Sequence, residues 1–299
     1  MVRKFIFIVL TPLLLISCSK PSDSKPTATQ PNAEKRYPLL GEIVAISPTE
    51  KTLTVSHQAI PGFMSAMTMD FNVSDSDLSL VHVGEHIKAE LVITPQSTAR
   101  LEHIWPNERQ VTDTLNASAT ALREDTHERG ESAYREVGEN IPHFSLLNQE
   151  GQIVKSDQFR GKQIMLNFIY TSCPIADMCP AATMKMMMTQ RMAKEAHVSN
   201  IEFVSISLDP THDTPGVLKE YASIRGIDTK NFTFLTGPEG AIRDLLTQFG
   251  VIAEFSGSIV KHTLATLLIN PNGKIIWRAD GSAWEPQDFV KRMHKDTSP

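Results

Sequence analysis

"NFIYTSCPIADMCPAATMKMMMTQRM" (residues 167–192) joins an apolar run, two cysteines and a segment rich in helix formers. "IMLNFIY" (164–170) is nearly continuous in apolar residues, the composition of a strand buried on both faces. Cys173 and Cys179 follow, six positions apart. In one continuous helix that separation means ~9 Å of rise and about 240° of net rotation, and the two sulfurs would diverge. The intervening "PIADM" is therefore read as a loop. Pro174 opposes helix there, and Pro180 stands where a helix accepts its first proline. Cys179 is expected at the helix N-cap, where unpaired N–H groups and the positive end of the dipole favour a thiolate. Cys173 is expected at the end of the buried strand.

Working outward, the pattern from Asn140 onward alternates strands with helices. "IEFVSISL" (201–208) reads as a second buried parallel strand. "PAATMKMMMTQRMAKEA" (180–196), "TPGVLKEYASIR" (214–225) and "EGAIRDLLTQFG" (239–250) read as helices. "TLATLLIN" (263–270) and "KIIWRAD" (274–280) read as a hairpin around "PNGK", before a last helix from "EPQDFVKRM" (285–293). Strand, cysteine site, helix, strand, helix and a closing hairpin with helix is the order of an α/β thioredoxin-like domain, placed at residues 140–299.

Upstream, residues 38–106 show five short alternating runs, "GEIVAIS", "KTLTVSH", "TMDFNV", "HIKAELVI" and "ARLEHIW", divided by Pro, Gly, Asp and Ser. They suggest a small all-β barrel of the OB type. Residues 107–139 are polar with Leu115, Ala119 and Leu122 at helical spacing and Gly130 as a breaker, so a helical connector is expected. Residues 18–37 form a flexible tether, rich in Pro, Ser and Thr and poor in apolar residues.

The N-terminus, "MVRKFIFIVLTPLLLISC", has a basic start and a short apolar run, the form of an export signal over residues 1–17. Its "LISC" ending resembles the lipobox of bacterial lipoproteins, which implies cleavage before Cys18 and a lipid on that cysteine; an uncleaved anchor is the alternative. Either way the globular part is expected outside the cytoplasm, facing the periplasm or cell exterior and held to a membrane. The chain has 299 residues, 41% apolar and 21% charged, and a formal charge of −5. Without Arg3 and Lys4, 27 basic residues face 34 acidic ones, a net −7 that argues against nucleic acid as a partner.

Three cysteines are too few for a disulfide-stapled scaffold. With Cys18 lipidated, Cys173 and Cys179 are left to each other, as a redox pair, a metal chelate or a structural disulfide. Thioredoxin-like exchangers use two intervening residues, where five stand here. A metal asks for a third ligand, and His262 is the candidate, because it immediately precedes a strand; a packing histidine is the alternative. Two thiolates and an imidazole suit copper in an oxidising compartment. Met184, Met188 and Met192 recur at i, i+4, i+8, with Met187 beside them, and are read as core filler.

The stretch from Ile141 to Met293 resembles the SCO/SenC family through "FIYTSCP…CP", "SLDPTHDTP" and "KHTLATLLINPNGKI". The resemblance implies a thioredoxin fold, delivery of copper to the binuclear copper site of cytochrome c oxidase, and thiol-disulfide activity. It implies copper ligands at Cys173, Cys179 and His262. The usual family motif has three residues between its cysteines, and this chain has five. Asp209 matches a family acidic position near the site and otherwise reads as a helix or turn cap.

The barrel segment "SHQAIPGFMSAMTMDF" (56–71) places Met67 and Met69 on one face of a strand, after His57. Thioethers with an imidazole make a soft site suited to Cu(I), against ordinary barrel core as the alternative. The segment resembles the periplasmic CusF-like copper-binding fold, which uses one histidine and two methionines under a covering tryptophan. The resemblance implies His57, Met67 and Met69 as ligands, with the His-to-Met gap one residue shorter. Met64 stands where the tryptophan would be, as a further ligand or as cover.

The expected protein is a membrane-tethered copper chaperone. It would serve cytochrome c oxidase or another exported copper protein, with copper passing between two sites by virtue of a flexible tether and connector. A thiol-disulfide oxidoreductase acting on a partner's cysteines outside the cytoplasm is the alternative.

Overall fold

The computed structural model describes residues 34–130, 133–256 and 259–294. The export signal, Cys18 and most of the tether lie outside the described residues.

The first domain is a closed barrel of β1 (Lys35–Ser47), β2 (Thr52–His57), β3 (Met67–Asn72), β4 (His86–Ile93) and β5 (Ala99–Pro106), in the order β1-β2-β3-β5-β4. Period-2 alternation buries Leu39 and Ile43 of β1, Leu53 and Val55 of β2 and Phe71 of β3 in one barrel core, with Leu91 and Leu101 opposite. Gly41 lets β1 approach β2: a Cβ there would lie 2.8 Å from the Ser56 carbonyl oxygen. The tether was expected to run to residue 37, but β1 starts at Lys35. Arg36 fixes that start, because its guanidinium reaches Glu90 at 2.7 Å and Glu102 at 2.8 Å on the neighbouring strands. Between β3 and β4 a short helix, α1 (Asp75–Leu78), is capped by Ser74, whose hydroxyl accepts from the Asp77 N–H.

The connector is α2 (Arg109–Arg129), and it is not loose. Leu115 and Leu122 are buried, Ala119 packs on the second domain's core, and Gly130 ends the helix at φ +99°. Asp125 accepts from Gln248 at 2.8 Å and from Arg135 at 2.6 Å. The expected helical connector is thus a helix packed along the second domain's core.

The second domain has a seven-stranded sheet. Its elements in chain order are β6 (Ser145–Asn148), β7 (Ile153–Lys155), β8 (Gln163–Ile169), α3 (Cys179–Glu195), β9 (Ile201–Ser207), α4 (Pro215–Ile224), β10 (Phe232–Thr236) and α5 (Glu239–Gln248). Then come β11 (Ala253–Ser256), β12 (Ile259–His262), β13 (Ala265–Ile269), β14 (Ile275–Asp280) and α6 (Pro286–Val290). The order is β14-β13-β8-β9-β10-β6-β7, with β8, β9 and β10 parallel and the β13–β14 hairpin antiparallel on β8. Helices on the sheet's faces make β8 and β13 buried at every position. The fold is thioredoxin-like, as the strand and helix order implied. The two domains touch where α1 and β5 pack against α4.

α3 corrects the methionine reading. Its buried arc is Cys179, Ala182, Thr183, Met186, Thr189 and Ala193, a 3.6-residue period set by the sheet below. Met184 and Met188 fall on the opposite side and are exposed, while Met187 and Met192 are half-buried against the core.

Candidate metal centres

The cysteine loop begins where β8 ends. Thr171 is pinned by the buried Asp213, whose carboxylate accepts from its N–H at 3.2 Å and from its hydroxyl at 2.5 Å. The Ser207 hydroxyl donates to the same carboxylate at 2.6 Å. The chain then turns back, the Cys173 N–H facing the Tyr170 carbonyl at 3.4 Å and the Met178 N–H bonding to Ile175 at 3.0 Å. Met178 occupies the N-cap, so Cys179 is the first helical residue rather than the cap, followed by Pro180.

His262 closes the group from the end of β12. Its Nε2 lies 3.2 Å from the Cys179 Sγ, and ligand atoms of Cys173, Cys179 and His262 all fall within 4.8 Å of one another. His262 Nδ1 lies 2.9 Å from the Thr263 carbonyl oxygen. A carbonyl only accepts, so Nδ1 carries the hydrogen and the neutral ring keeps its Nε2 lone pair toward the sulfurs. A bond from the far ring nitrogen to a carbonyl is how metal-binding histidines are commonly oriented. Burial lowers the His262 pKa against the opposing effect of that carbonyl, which keeps the ring neutral.

The two thiols differ. Burial pushes the Cys173 pKa up, but hydrogen bonds from the Ile175 and Cys179 N–H groups, the Tyr170 hydroxyl and the Cys179 thiol outweigh it and hold it below the ordinary value. Burial of Cys179 raises its pKa well above the ordinary thiol value, and the neighbouring Cys173 adds to the rise. The thiolate expected at Cys179 is thus favoured at Cys173. Desolvation at the buried helix start exceeds what the dipole returns.

Sequence reasoning passed over Tyr170 and Asp213. Tyr170 touches both sides of the site, bonding toward Cys173 and meeting the His262 ring edge-to-face at 5.7 Å between centres. Both lay in quoted motifs, Tyr170 beside the cysteine and Asp213 in "SLDPTHDTP", where only Asp209 drew notice. The Asp209 carboxylate accepts from His212 Nδ1 at 2.8 Å, across the turn that its own carbonyl closes with the His212 and Asp213 N–H groups.

In the barrel, His57 and Met67 are direct cross-strand partners, and Met69 lies opposite Val55 on the same face. His57 is 3% exposed, with Nδ1 at 2.7 Å from the Gln58 carbonyl oxygen. With Nδ1 placed against that carbonyl, Nε2 is the ring nitrogen left over, and this buried atom has no hydrogen-bond partner among the described residues. A buried polar atom without a partner costs stability unless something fills its place. Met67 is half exposed at 51%, whereas Met64 and Met69 are half-buried against the barrel core. Met64 sits on the turn that bridges back to Ile60.

Together these features define a thioredoxin-like domain with a thiol–imidazole group at one end of its sheet, beside an OB-type barrel with a thioether–imidazole face. The chain belongs to the SCO1/SenC family, whose model matches residues 132–297. The model for the copper-binding periplasmic protein CusF matches residues 36–106. The SCO2-like protein of Rickettsia typhi is 35% identical over 159 residues, covering 50% of this chain and 74% of that protein. The SCO1 protein homolog of Bacillus subtilis is 28% identical, covering 49% and 77%. Among solved structures, a SCO1/SenC family lipoprotein from Bacillus anthracis is 29% identical and covers 54% of this chain and 97% of its own, at a TM-score of 0.49. Copper is the metal that the CusF match supports.

Proposed function

We propose that this protein is a membrane-tethered copper chaperone with two copper-holding sites. Members of the SCO family are copper-binding proteins involved in cytochrome c oxidase assembly. In this reading the barrel takes Cu(I) on His57, Met67 and Met69, with Met64 as a further ligand or cover. The thioredoxin-like domain holds copper on Cys173, Cys179 and His262. The recipient is the binuclear copper site of cytochrome c oxidase or a related exported copper protein. A lipid on Cys18 holds the chain to the membrane on the outer side of the cytoplasm.

The observation that carries the reading is the approach of His262 Nε2 to the Cys179 Sγ, with Cys173 beside it, despite five residues between the cysteines. Soft sulfur with imidazole matches copper. The donor set in the barrel supports Cu(I) independently, because the buried Nε2 of His57 has no hydrogen-bond partner among the described residues and Met67 is its cross-strand neighbour. Anaerobic Cu(I) loading of the reduced chain tests both. Two equivalents are expected, one lost in Cys173→Ser/Cys179→Ser and the other in Met67→Ile/Met69→Ile. Unchanged stoichiometry in either double variant removes the corresponding site.

A thiol-disulfide oxidoreductase acting on a partner's cysteines is the second reading, favoured by the unequal thiols. A thiol held toward thiolate beside a buried, protonated one is the arrangement for attack followed by resolution. A mixed disulfide trapped through Cys173 in Cys179→Ser is its expected product.

A further inference from the structure

We propose that His103 and His212 form a binding site for a borderline divalent transition ion, Cu(II) or Zn(II), at the boundary between the two domains. The proposal does not rest on the chaperone reading.

His103 lies in β5 of the barrel and His212 in the loop between β9 and α4 of the thioredoxin-like domain. Their ring centres are 5.4 Å apart and the rings meet at 79°. Two imidazoles on one tetrahedral ion, bound at about 2.0 Å, put their ring centres roughly 5 Å apart. Each ring is already oriented by a carboxylate. His103 Nδ1 lies 3.1 Å from Glu90 Oε2, and His212 Nδ1 lies 2.8 Å from Asp209 Oδ2. With Nδ1 of each ring paired to a carboxylate, Nε2 is the nitrogen left for an ion. A carboxylate behind the imidazole is the usual outer shell of a metal-binding histidine.

Backbone conformation at His103 is a second observation. It adopts φ +53° inside a strand, a left-handed conformation that a non-glycine residue holds at a cost. It stands beside the irregular β4–β5 register between Lys88 and Glu90. Such a bulge re-aims a side chain. Both histidines also line one cleft of about 980 Å³ between the domains, which leaves room for water or an exogenous ligand to complete the shell.

The nearby carboxylates orient rather than ligate. Glu90 and Glu102 have oxygens close to His103, but Arg36 bridges them and Arg100 holds Glu102 at 2.7 Å. Two imidazoles without thiolates suit Cu(II) or Zn(II) better than the Cu(I) of the sulfur sites.

The test uses the full chain carrying Cys173→Ser/Cys179→Ser, which removes competing thiols, with one equivalent of Cu(II). Expected is an electron paramagnetic resonance spectrum with coupling to two imidazole nitrogens. His103→Phe and His212→Phe keep an aromatic ring in the contact but remove the ligand nitrogen. Each is expected to lower Cu(II) affinity at least about 100-fold and to abolish the two-nitrogen pattern. Asp209→Asn is expected to keep the pattern while weakening binding about 10-fold. Unchanged affinity and spectrum in either phenylalanine variant would mean that the rings only stack, and would overturn the proposal.

Discussion

His262 Nε2 stands 3.2 Å from the Cys179 Sγ, with its other ring nitrogen committed to the Thr263 carbonyl. The imidazole is thus held with Nε2 toward the Cys179 sulfur. His262→Ala should weaken Cu(I) binding at the cysteine site by at least about 10-fold, since sulfur alone remains. Both thiols should stay titratable by a disulfide reagent after anaerobic reduction. Competition with a Cu(I) chelator measures the first effect, and a thiol count in denaturant the second.

Cys173 and Cys179 should react very differently with an alkylating agent. Hydrogen bonds hold Cys173 below the ordinary thiol pKa, and burial holds Cys179 well above it. In the reduced metal-free chain, Cys173 should be modified first, with a rate that rises with pH and levels off below the ordinary thiol value. Cys179 should resist until the chain is unfolded. Mass spectrometry of iodoacetamide-treated protein across a pH series reads both. Equal labelling rates would show that the two sulfurs share one environment.

Much of this arrangement was legible in sequence because long, strongly patterned runs leave little choice. "HIKAELVI" is β4 residue for residue, and "IMLNFIY" and "IEFVSISL" match β8 and β9 to within one residue at each end. The shorter pieces were not: β6, β7, β10 and the β11–β12 hairpin have at most five residues each, too few for a period to declare itself. The hairpin matters most, since it carries His262. The order of the two thiol pKa values was illegible for another reason. Helix position suggested a thiolate at Cys179, while the depth of burial, which reverses it, comes from the sheet packing.

Loss of His57 should be costly to the barrel only when metal is present. Its Nε2 is buried without a partner among the described residues, so His57→Leu removes an unpaired polar atom and is expected to change metal-free stability by less than about 1 kcal/mol, in either direction. The same variant should lose the rise in melting temperature that Cu(I) gives the parent, because a ligand stabilises only the folded state that binds it. Differential scanning calorimetry with Cys173→Ser/Cys179→Ser in the background isolates the barrel site. A copper-induced shift that survives His57→Leu would exclude His57 as a ligand.

Asp77 should make the domain boundary sensitive to acid in an unusual direction. Burial raises its pKa from 3.8 to about 6, against the Ser74 hydroxyl, which lowers it; the charges of Glu220 and Glu102 add to the rise and His103 opposes it. The folded chain therefore binds this proton more tightly than the unfolded one. The stability it contributes is complete below about pH 4 and lost as pH rises through about 6. Asp77→Asn should flatten that window and be more stable than the parent at pH 7, by at most about 3 kcal/mol. Urea melts at pH 4.5 and pH 7 measure it, and a parent equally stable at both would refute the assignment. The same contact sets a steric prediction. Asp77 lies so close to Gly216 at the start of α4 that an added Cβ would overlap its Oδ1. Gly216→Ala should therefore destabilise the chain by about 1–3 kcal/mol through the domain contact, and combining it with Asp77→Ala should recover part of that loss.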